Sequence, residues 1–408
     1  MSQRVRQRSR AQVAKATGQL AGACAGMLQD HLARLRSVGD HPNRILHYDQ
    51  LLAAHLLGFF DSAVRSFRTL DARSVTGETI REALDDLRLA RSTISDAMAE
   101  LPAAALLPLM RELLKRLPDN CSHPDLQDLL TLKKRIIAID GSYFRVPADV
   151  LWALAHRRSN GKTGRQVRLD LHLDVVRFLP IQARVDGKDN GSESAAFMRT
   201  LEAGLIYLAD RNFVDFEFLR AVLDIGSDFV VRLKSSGPNI ILCATPALTQ
   251  KDIDAGVLKD ERVTIPGSPG TPGLGQQPLR IVTVFDPVRR QEVRLLTTLI
   301  DVPAWVIGQL YRQRWCIELF FRWLKCVAKI KHLFCESENG ITMQFYVVII
   351  ATLLMHLHTG VRPSVYSFVL LSSAAAGDLV LGKVPEALER IARERELERL
   401  RRAKKKTV

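Results

Sequence analysis

Disulfide frameworks, zinc motifs and long hydrophobic runs are what this 408-residue sequence lacks. Its six cysteines include no CxxC pair and no histidine partners at zinc-ligand spacing, so we interpret them as reduced thiols of a cytosolic protein. The basic segment MSQRVRQRSRAQ has no apolar region behind it, which argues against a secretory signal. The longest apolar stretch, residues 345–358, is shorter than the roughly 20 residues that a membrane span needs. We therefore expect a cytoplasmic protein with no membrane partner, and a buried helix at 345–358.

Acidic residues are scarce relative to basic ones. The sequence has 44 Asp and Glu against 58 Lys and Arg, which gives a formal net charge of +14. A surplus of this size favours a polyanionic partner, nucleic acid before an anionic membrane, although solubility alone would also account for it. The length favours two or three folding units, and a hydrophobic content of 47% is enough for a large core.

The hydrophobic pattern divides the chain into five regions. Residues 1–132 carry apolar side chains at helical spacings of three and four. Residues 133–234 predict three strands, a helix, a strand, a helix and a strand, which favours a mixed α/β sheet. Residues 235–301 combine β runs with Gly and Pro and are interpreted as a β-rich insertion. Residues 302–360 are predicted to be helical, and residues 361–408 to form helices that end in a basic tail.

One long predicted helix, residues 306–330, carries four polar side chains on one face. At about 100° per residue, Tyr311, Arg314, Glu318 and Lys325 fall within an arc of roughly 60°. A solvated face with ion pairs is one explanation of such a stripe. However, large apolar residues fill other sectors of the helix, so we expect it to be packed. A half-buried stripe of mixed charge needs a partner, for which a phosphate and a metal ion are suitable.

Two aspartates, Asp140 and Asp210, end predicted strands in the segments IDGSYF and YLADRNF. Carboxylates at strand ends of α/β sheets face the crevice where ligands bind, although a turn or a helix cap would also place an aspartate there. Together with Glu318 they form a three-carboxylate set. Such hard oxygen ligands suit Mg²⁺ or Mn²⁺, and two such ions can clamp both oxygens of an in-line phosphoryl transfer.

The segments IDGSYF, YLADRNF and YRQRWCIELFFRWLK resemble the three motif regions of DDE transposases of the insertion-sequence-four family. The last segment fits the signature Y-x2-R-x3-E-x6-K of that family at every position. The resemblance covers about residues 133–358. The spacings also agree, because Asp140 and Asp210 are 70 residues apart (210 − 140) and Asp210 and Glu318 are 108 apart (318 − 210).

The resemblance implies an α/β fold in which a ribonuclease-H-like catalytic domain is interrupted by a β-rich insertion. A helical N-terminal region with DNA-end binding and C-terminal helices would flank this domain. Asp140, Asp210 and Glu318 would be the catalytic residues and would bind two Mg²⁺ ions, for which Mn²⁺ could substitute.

The resemblance also implies an activity. The protein would be a DNA transposase that cuts double-stranded DNA at terminal inverted repeats and transfers the 3′-hydroxyl into target DNA, as a homodimer on paired ends in a prokaryotic, nucleoid-associated setting. Tyr311, Arg314 and Lys325 would contact the transposon-end phosphates. Some members form hairpin ends with the help of an aromatic residue in the insertion. Here Phe285 is the single aromatic residue of 235–301, so we do not expect this insertion to stack on a hairpin base.

Further basic residues are candidates for DNA contact. The segment HRRSNGKTGRQVR (156–168) beside the first catalytic strand could track a DNA backbone or be a solvated loop; its basic residues are Arg157, Arg158, Lys162, Arg165 and Arg168. Arg211, next to Asp210, could touch phosphate.

Other functions remain open from sequence. A different ribonuclease-H-like nuclease or recombinase would share the three acids, and a noncatalytic DNA-binding descendant of a transposase would share the fold. A tyrosine recombinase with Tyr311 as nucleophile would leave the acids unexplained.

Overall fold

A computed structural model describes residues 25–406 with gaps, and the chain folds as two compact units. Unit one comprises Met1–Pro118, Arg145–Arg165 and Trp323–Val408, and unit two comprises Asp119–Phe144 and Gln166–Arg322. Within 25–406 the residues not described are 40, 62–63, 65, 78–79, 82–83, 85, 119–128, 130–131, 158–162, 188–191, 235–239, 268–272, 329, 331–332 and 377.

In the part of the chain that the structure describes, helices predominate towards both ends and strands predominate in the middle. The strands are β1 (Arg135–Val146), β2 (Leu154–Arg157), β3 (Thr163–Asp174), β4 (Leu179–Asp186), β5 (Leu205–Ala209), β6 (Asp228–Arg232), β7 (Ile241–Ala244), β8 (Val257–Ile265), β9 (Gly275–Asp286) and β10 (Gln291–Thr297). The helices are α1 (Ala25–Ser37), α2 (Tyr48–Phe60), α3 (Phe67–Thr76), α4 (Arg91–Glu100), α5 (Leu107–Arg116), α6 (Glu193–Met198), α7 (Phe216–Asp224), α8 (Gln250–Asp254), α9 (Ala304–Gln313), α10 (Trp315–Cys326), α11 (Glu338–Thr359), α12 (Val365–Ala376) and α13 (Val384–Lys406).

Helix α11 is the central helix of unit one. Ser337 caps its start by accepting a hydrogen bond from Gly340 N, and Gly360 ends it in the left-handed conformation (φ 68°). The helix has 22 residues and contains an 18-residue segment with a mean hydropathy of 1.8, so it is long and apolar enough to cross a bilayer. However, 83% of that segment is buried inside the protein. The prediction of a buried helix at 345–358 is therefore confirmed. The length argument behind it was wrong, because the helix starts seven residues earlier than the apolar run.

The side chain of Asn339 fastens α11 to the link between α4 and α5. Its Oδ1 accepts a hydrogen bond from Ala103 N (2.9 Å), and its Nδ2 donates to Leu101 O (2.7 Å) and Met98 O (2.9 Å). One amide thus satisfies three backbone groups at the end of α4.

Unit two is built on a mixed sheet, as the pattern of residues 133–234 predicts. Its strands run in the order β3-β1-β5-β6-β10-β9-β8-β7, and β4 also pairs with β3. β1, β5 and β6 are parallel neighbours, whereas β3 and β4 are antiparallel. Helices α6 and α7 join these strands. Large buried side chains such as Phe197, Tyr207, Phe218 and Phe229 form the core beneath them.

The strands of residues 235–301 extend this sheet. β10 pairs antiparallel with β6, with Leu295 opposite Arg232. β9, β8 and β7 then follow as antiparallel neighbours. The segment is therefore β-rich, as predicted, and it adds four strands to the edge that β6 would otherwise leave unpaired.

The register of β1 and β5 accounts for the position of the first two acids. The parallel pairs run from Arg135 opposite Leu205 to Ala138 opposite Leu208, a constant offset of 70 residues. Extended two residues past the last of these pairs, the same offset would bring Asp140 next to Asp210. The prediction that the first strand ends at Asp140 was wrong, since β1 continues to Val146. β1 has a second neighbour, β3, and can stay extended after β5 has ended at Ala209.

The helix predicted as continuous over 306–330 is two helices, α9 and α10, joined at Arg314. Arg314 keeps right-handed helical angles (φ −53°, ψ −31°). Its N–H donates to Tyr311 O at 3.1 Å, and Ile317 N donates to Arg314 O at 3.2 Å. Both bonds span three residues, so the chain tightens locally to 3₁₀ spacing. The direction of the chain between Tyr311 and Glu318 therefore depends on this one tight turn at Arg314.

Candidate active site

Asp140 and Asp210 lie side by side where the parallel part of the sheet ends. Asp140 Oδ1 accepts a hydrogen bond from Gly141 N (3.0 Å). Asp210 Oδ1 accepts one from Asn212 N (2.7 Å), at the start of the 3₁₀ turn Arg211–Phe213. Asp210 thus acts as a cap, the structural alternative noted above. It also faces Asp140 closely enough for its negative charge to raise the pKa of the Asp140 carboxyl.

Arg314 bridges Asp140 and Glu318. Its Nη2 donates to Glu318 Oε1 one helical turn away. Its Nη1 lies 4.0 Å from Asp140 Oδ2. The exposed fraction of the Arg314 side chain is 13%, against 22% for Asp140 and 33% for Glu318. The guanidinium therefore provides a positive charge among the three carboxylates in a largely desolvated site.

The Asp140 carboxyl has a perturbed pKa. Burial raises it from 3.8 to about 7, against the opposing charge of Arg314, and the charges of Asp210 and Glu318 contribute to the same rise. At neutral pH this site therefore holds a proton on Asp140 for part of the time. The three carboxylates carry more negative charge than Arg314 alone can compensate.

Tyr311 packs beside Arg314, as the helical stripe predicts. Arg314 Cζ lies 5.9 Å from the centre of the Tyr311 ring, and burial raises the pKa of the phenol. The phenol therefore remains a hydrogen-bond donor at neutral pH. Lys325, the fourth residue of the stripe, lies on the last turn of α10 and belongs to unit one.

A fourth carboxylate, Glu193, joins this group, and no motif in the sequence marks it. Glu193 is the first residue of α6. Burial raises the pKa of its carboxyl to about 7, and the charge of Asp140 is the second cause. The helix predicted after the first three strands of residues 133–234 is present at Glu193–Met198, but the sequence pattern does not show which of its residues faces the acids.

The basic candidates of 156–168 have different surroundings. Arg168 is buried and donates from Nε and Nη2 to Asp170 (2.6 and 3.1 Å), so the suggestion that it tracks DNA was wrong. Arg165 donates to Ala153 O (2.9 Å), and Arg157 ends β2. Arg158 and Lys162 lie outside the described residues. Arg211 is exposed beside Asp210.

The acids fit a hard divalent cation by chemistry and charge. Among the described residues, no three acidic, histidine or cysteine side chains are spaced to hold a metal ion as they stand; in this arrangement Arg314 bridges two of them. The donors are all carboxylate oxygens, which Mg²⁺ and Mn²⁺ prefer. Burial raises the pKa of two of the carboxyls, Asp140 and Glu193, to about 7, and neighbouring carboxylates add to the shift.

A comparison with known protein families identifies the class to which this chain belongs. Residues 131–354 match the model of the transposase DDE domain, more than half of the chain. The chain therefore belongs to the DDE transposase domain family. Members of this family generally bind DNA and use divalent metal ions for strand cleavage and transfer.

Curated relatives carry transposase names. A probable transposase for insertion sequence element IS5377 of Geobacillus stearothermophilus is 25% identical over 266 residues, 65% of this chain and 66% of that protein. A protein named transposase y4zB of Sinorhizobium fredii is 26% identical over 220 residues, 50% of this chain and 56% of that protein. The chain thus spans just under two thirds of the length of the first and about half of the second.

One solved structure, piggyBac transposase in a synaptic complex with hairpin DNA, was also matched. The match covers 88% of this chain and 74% of that chain, at 11% identity and a TM-score of 0.37. A likeness at that level supports no conclusion about this chain.

The pKa of Asp140 predicts how pH affects the metal-free protein. Its folded-state pKa of about 7 lies above the ordinary 3.8, so the folded state holds the proton more tightly than the unfolded state. The contribution of this carboxyl to the free energy of unfolding is fully present below about pH 4 and is lost as the pH rises to about 7. Asp140→Asn should therefore raise the stability at pH 8 in EDTA, by at most about 4 kcal/mol.

Calorimetry in EDTA between pH 4 and pH 8 measures this effect. The matched control is Asp224→Asn on the exposed end of α7, which should follow the wild-type profile. A profile of Asp140→Asn that is parallel to the wild type at every pH would contradict the burial of a charged Asp140.

Proposed function

We propose that the protein catalyses metal-dependent cut-and-paste transposition of an insertion sequence. It would cleave DNA at the transposon ends and transfer the freed 3′-hydroxyl into target DNA. One observation carries this proposal. In a member of the DDE family, Asp140 and Asp210 from neighbouring strands and Glu318 from a helix interact electrostatically within one compact unit, and Arg314 bridges two of them.

A ribonuclease-H-like catalytic domain of the insertion-sequence-four type is the finer assignment that we favour. With the short strand β2 set aside, the β-β-β-α-β-α-β order from β1 to β6 and the mixed sheet support it. The strands β7 to β10 lie between the last parallel strand and the helix of Glu318, where a β-rich insertion is expected. The close association of Tyr311, Arg314 and Glu318 supports the Y-R-E-K signature.

Asp140, Asp210 and Glu318 would hold two Mg²⁺ ions, or Mn²⁺ in their place. Bound there, the ions would polarise the scissile phosphodiester and lower the pKa of the attacking water or hydroxyl. Cation binding at Glu318 would weaken its ion pair with Arg314 and leave the guanidinium available to a phosphate. Tyr311 would donate its phenol hydrogen to a phosphate oxygen beside it.

The proposed reaction has two steps, hydrolysis at the transposon end and transfer of the freed strand to target DNA. In the first, water attacks the phosphorus at the transposon end; the bond to the 3′-oxygen breaks, and the 3′-oxygen takes up a proton. In the second, that 3′-hydroxyl attacks a target phosphorus and loses its proton, and the target's own 3′-oxygen leaves. Neither step forms a bond between protein and DNA, so Tyr311 serves in binding and not as a nucleophile.

The net charge of +14 suits duplex DNA as the partner. Arg211 beside the acids, Lys325, and the basic segment with Arg157, Arg158, Lys162 and Arg165 are the candidate phosphate contacts. The helical N-terminal region would recognise the terminal inverted repeats. The protein would act as a homodimer on paired transposon ends, at the nucleoid in the cytoplasm.

A cleavage assay on the DNA that flanks the gene tests this function. The protein is incubated with Mg²⁺ and a duplex that carries the end sequence read from the terminal inverted repeats. A scrambled duplex of equal length is incubated in parallel. We expect nicks at the repeat boundary, joined products with a target plasmid, and no covalent protein–DNA adduct. Equal cutting of both duplexes would instead indicate a general nuclease, and end binding without cutting a noncatalytic descendant.

Lys325 offers a separate test of phosphate recognition. Lys325→Ala should weaken binding of end DNA and lower the slope of log affinity against log salt by about one, while the affinity for Mn²⁺ stays as in the wild type. Fluorescence anisotropy from 50 to 300 mM KCl measures the slope. The control is Lys259→Ala on the exposed surface of β8. An unchanged slope for Lys325→Ala would rule out its phosphate contact.

A further inference from the structure

The carboxylate of Glu193 lies directly against the backbone of Gly141, the residue after Asp140. A Cβ atom added to Gly141 would be 2.3 Å from Glu193 Oε1. It would also be 3.0 Å from Arg168 Cδ and 3.0 Å from Asp170 Oδ1. Gly141 thus leaves the space in which the Glu193 carboxylate reaches β1 beside Asp140.

The Oε1 atom of Glu193 is sealed from solvent and has no hydrogen-bond partner among the described residues. Arg168, whose charge acts on Glu193, is already engaged by both oxygens of Asp170 and lies 3.7 Å from Asp186 Oδ2. A buried carboxylate oxygen without a hydrogen bond is costly. The charge of Arg168 offsets part of the negative charge of Glu193, and a divalent cation beside Asp140 would offset the rest.

The backbone of α6 fixes Glu193 in this position. Ser192 Oγ accepts a hydrogen bond from Ala195 N (3.2 Å), and Ser194 Oγ donates to Asp215 Oδ2 (2.6 Å). Phe197, one turn later, is fully buried in the core of unit two. The residues on both sides of Glu193 are therefore anchored, and its approach to Gly141 is part of the fold.

We infer that Glu193 is a fourth carboxylate of the metal site, which acts beside Asp140 to hold the cation. This inference rests on the proposed function, because it assumes that Asp140, Asp210 and Glu318 bind a divalent ion. It adds a residue outside the three motif regions, on a helix that the signature does not include. It also gives Gly141 a role, which is to admit the Glu193 carboxylate.

Binding of Mn²⁺ to the full chain without DNA tests the inference. Titration followed by electron paramagnetic resonance gives the affinity, and the melting temperature in EDTA reports the fold. Glu193→Gln should weaken Mn²⁺ binding tenfold or more without lowering the melting temperature. The matched control is Glu217→Gln, an exposed glutamate in the first turn of the next helix, which should bind Mn²⁺ as the wild type does.

Gly141 supplies a second pair of variants. Gly141→Ala should displace the Glu193 carboxylate and weaken Mn²⁺ binding as Glu193→Gln does. In the double variant Gly141→Ala with Glu193→Ala, the clash with the carboxylate is removed. Its melting temperature should exceed that of Gly141→Ala alone, and its Mn²⁺ affinity should stay low.

The possible outcomes distinguish a failure of the role of Glu193 from a failure of the proposed function. If Asp140→Asn loses Mn²⁺ binding and Glu193→Gln does not, the role of Glu193 is refuted and the proposed function stands. If the wild type shows no saturable Mn²⁺ binding, the metal site and the inference both fail. If Glu193→Gln loses affinity only in proportion to a drop in melting temperature, and Glu193→Asp restores neither, the residue is merely structural and the inference is overturned.

Discussion

Glu318→Gln should reduce Mg²⁺-dependent cleavage of transposon-end DNA by about 10³-fold or more, which corresponds to about 4 kcal/mol of transition-state stabilisation. The substitution removes a charged oxygen ligand and keeps the size of the side chain. The amide oxygen can still accept the hydrogen bond from Arg314, so α10 should keep its position. Binding of end DNA should therefore stay within about twofold of the wild type, since each tenfold change needs 1.4 kcal/mol.

Single-turnover cleavage of a labelled duplex measures the rate, and a gel shift measures binding. Glu292→Gln, on the exposed side of β10, is the matched control and should cleave at the wild-type rate. Wild-type cleavage by Glu318→Gln would refute the assignment of Glu318. Loss of binding together with cleavage would point to a structural role for the Arg314–Glu318 pair.

Arg280→Met should lower the free energy of unfolding by about 3 kcal/mol, because the buried carboxylate of Asp260 loses two short hydrogen bonds and keeps the longer contact with Arg262 Nη1 at 4.0 Å. Arg280 is buried, and its Nε and Nη2 donate to the two oxygens of Asp260, each at 2.7 Å. Its Nη1 donates to the carbonyls of the segment before α9, at Leu299 (3.2 Å), Ile300 (3.3 Å) and Val302. This arginine thus ties the added strands to the segment that leads to Tyr311 and Arg314.

Urea unfolding followed by fluorescence measures the loss. The control is Arg289→Met in the exposed turn between β9 and β10, which should change stability by less than about 0.5 kcal/mol. The double variant Arg280→Met with Asp260→Leu should recover part of the loss, because the buried carboxylate is then removed together with the guanidinium. An Arg280→Met protein as stable as the wild type would show that the pair contributes nothing to the fold.

The carboxylate site could be predicted only in part from the sequence. The association of Arg314 with Glu318 follows from their separation by four residues, which places two side chains together on any helix. The proximity of Asp140 and Asp210 is different. Their separation of 70 residues equals the offset of the β1–β5 pairing, but a separation alone does not say which strands pair. The motif resemblance provided that information.

The residues that escaped prediction are those whose environment is made by distant parts of the chain. Arg168 belongs to a basic segment in the sequence, yet β3 turns it inward onto Asp170. Asp140 was expected to end its strand, and a second neighbouring strand lets β1 continue. Glu193 follows no spacing rule relative to the three acids. Its contact with Gly141 exists because α6 packs on the sheet.

The sequence by itself determined the order of strands and helices around the acids, the polar stripe of α9 and α10, and the basic charge that suits DNA, because each depends on local periodicity or composition. Only the tertiary structure decided that Arg314 reaches Asp140 as well as Glu318, that the β-rich segment continues the sheet, and that Glu193 joins the acids. The physical reason is that these contacts depend on burial and strand pairing between residues far apart in the chain, and such contacts leave no periodic pattern in the sequence.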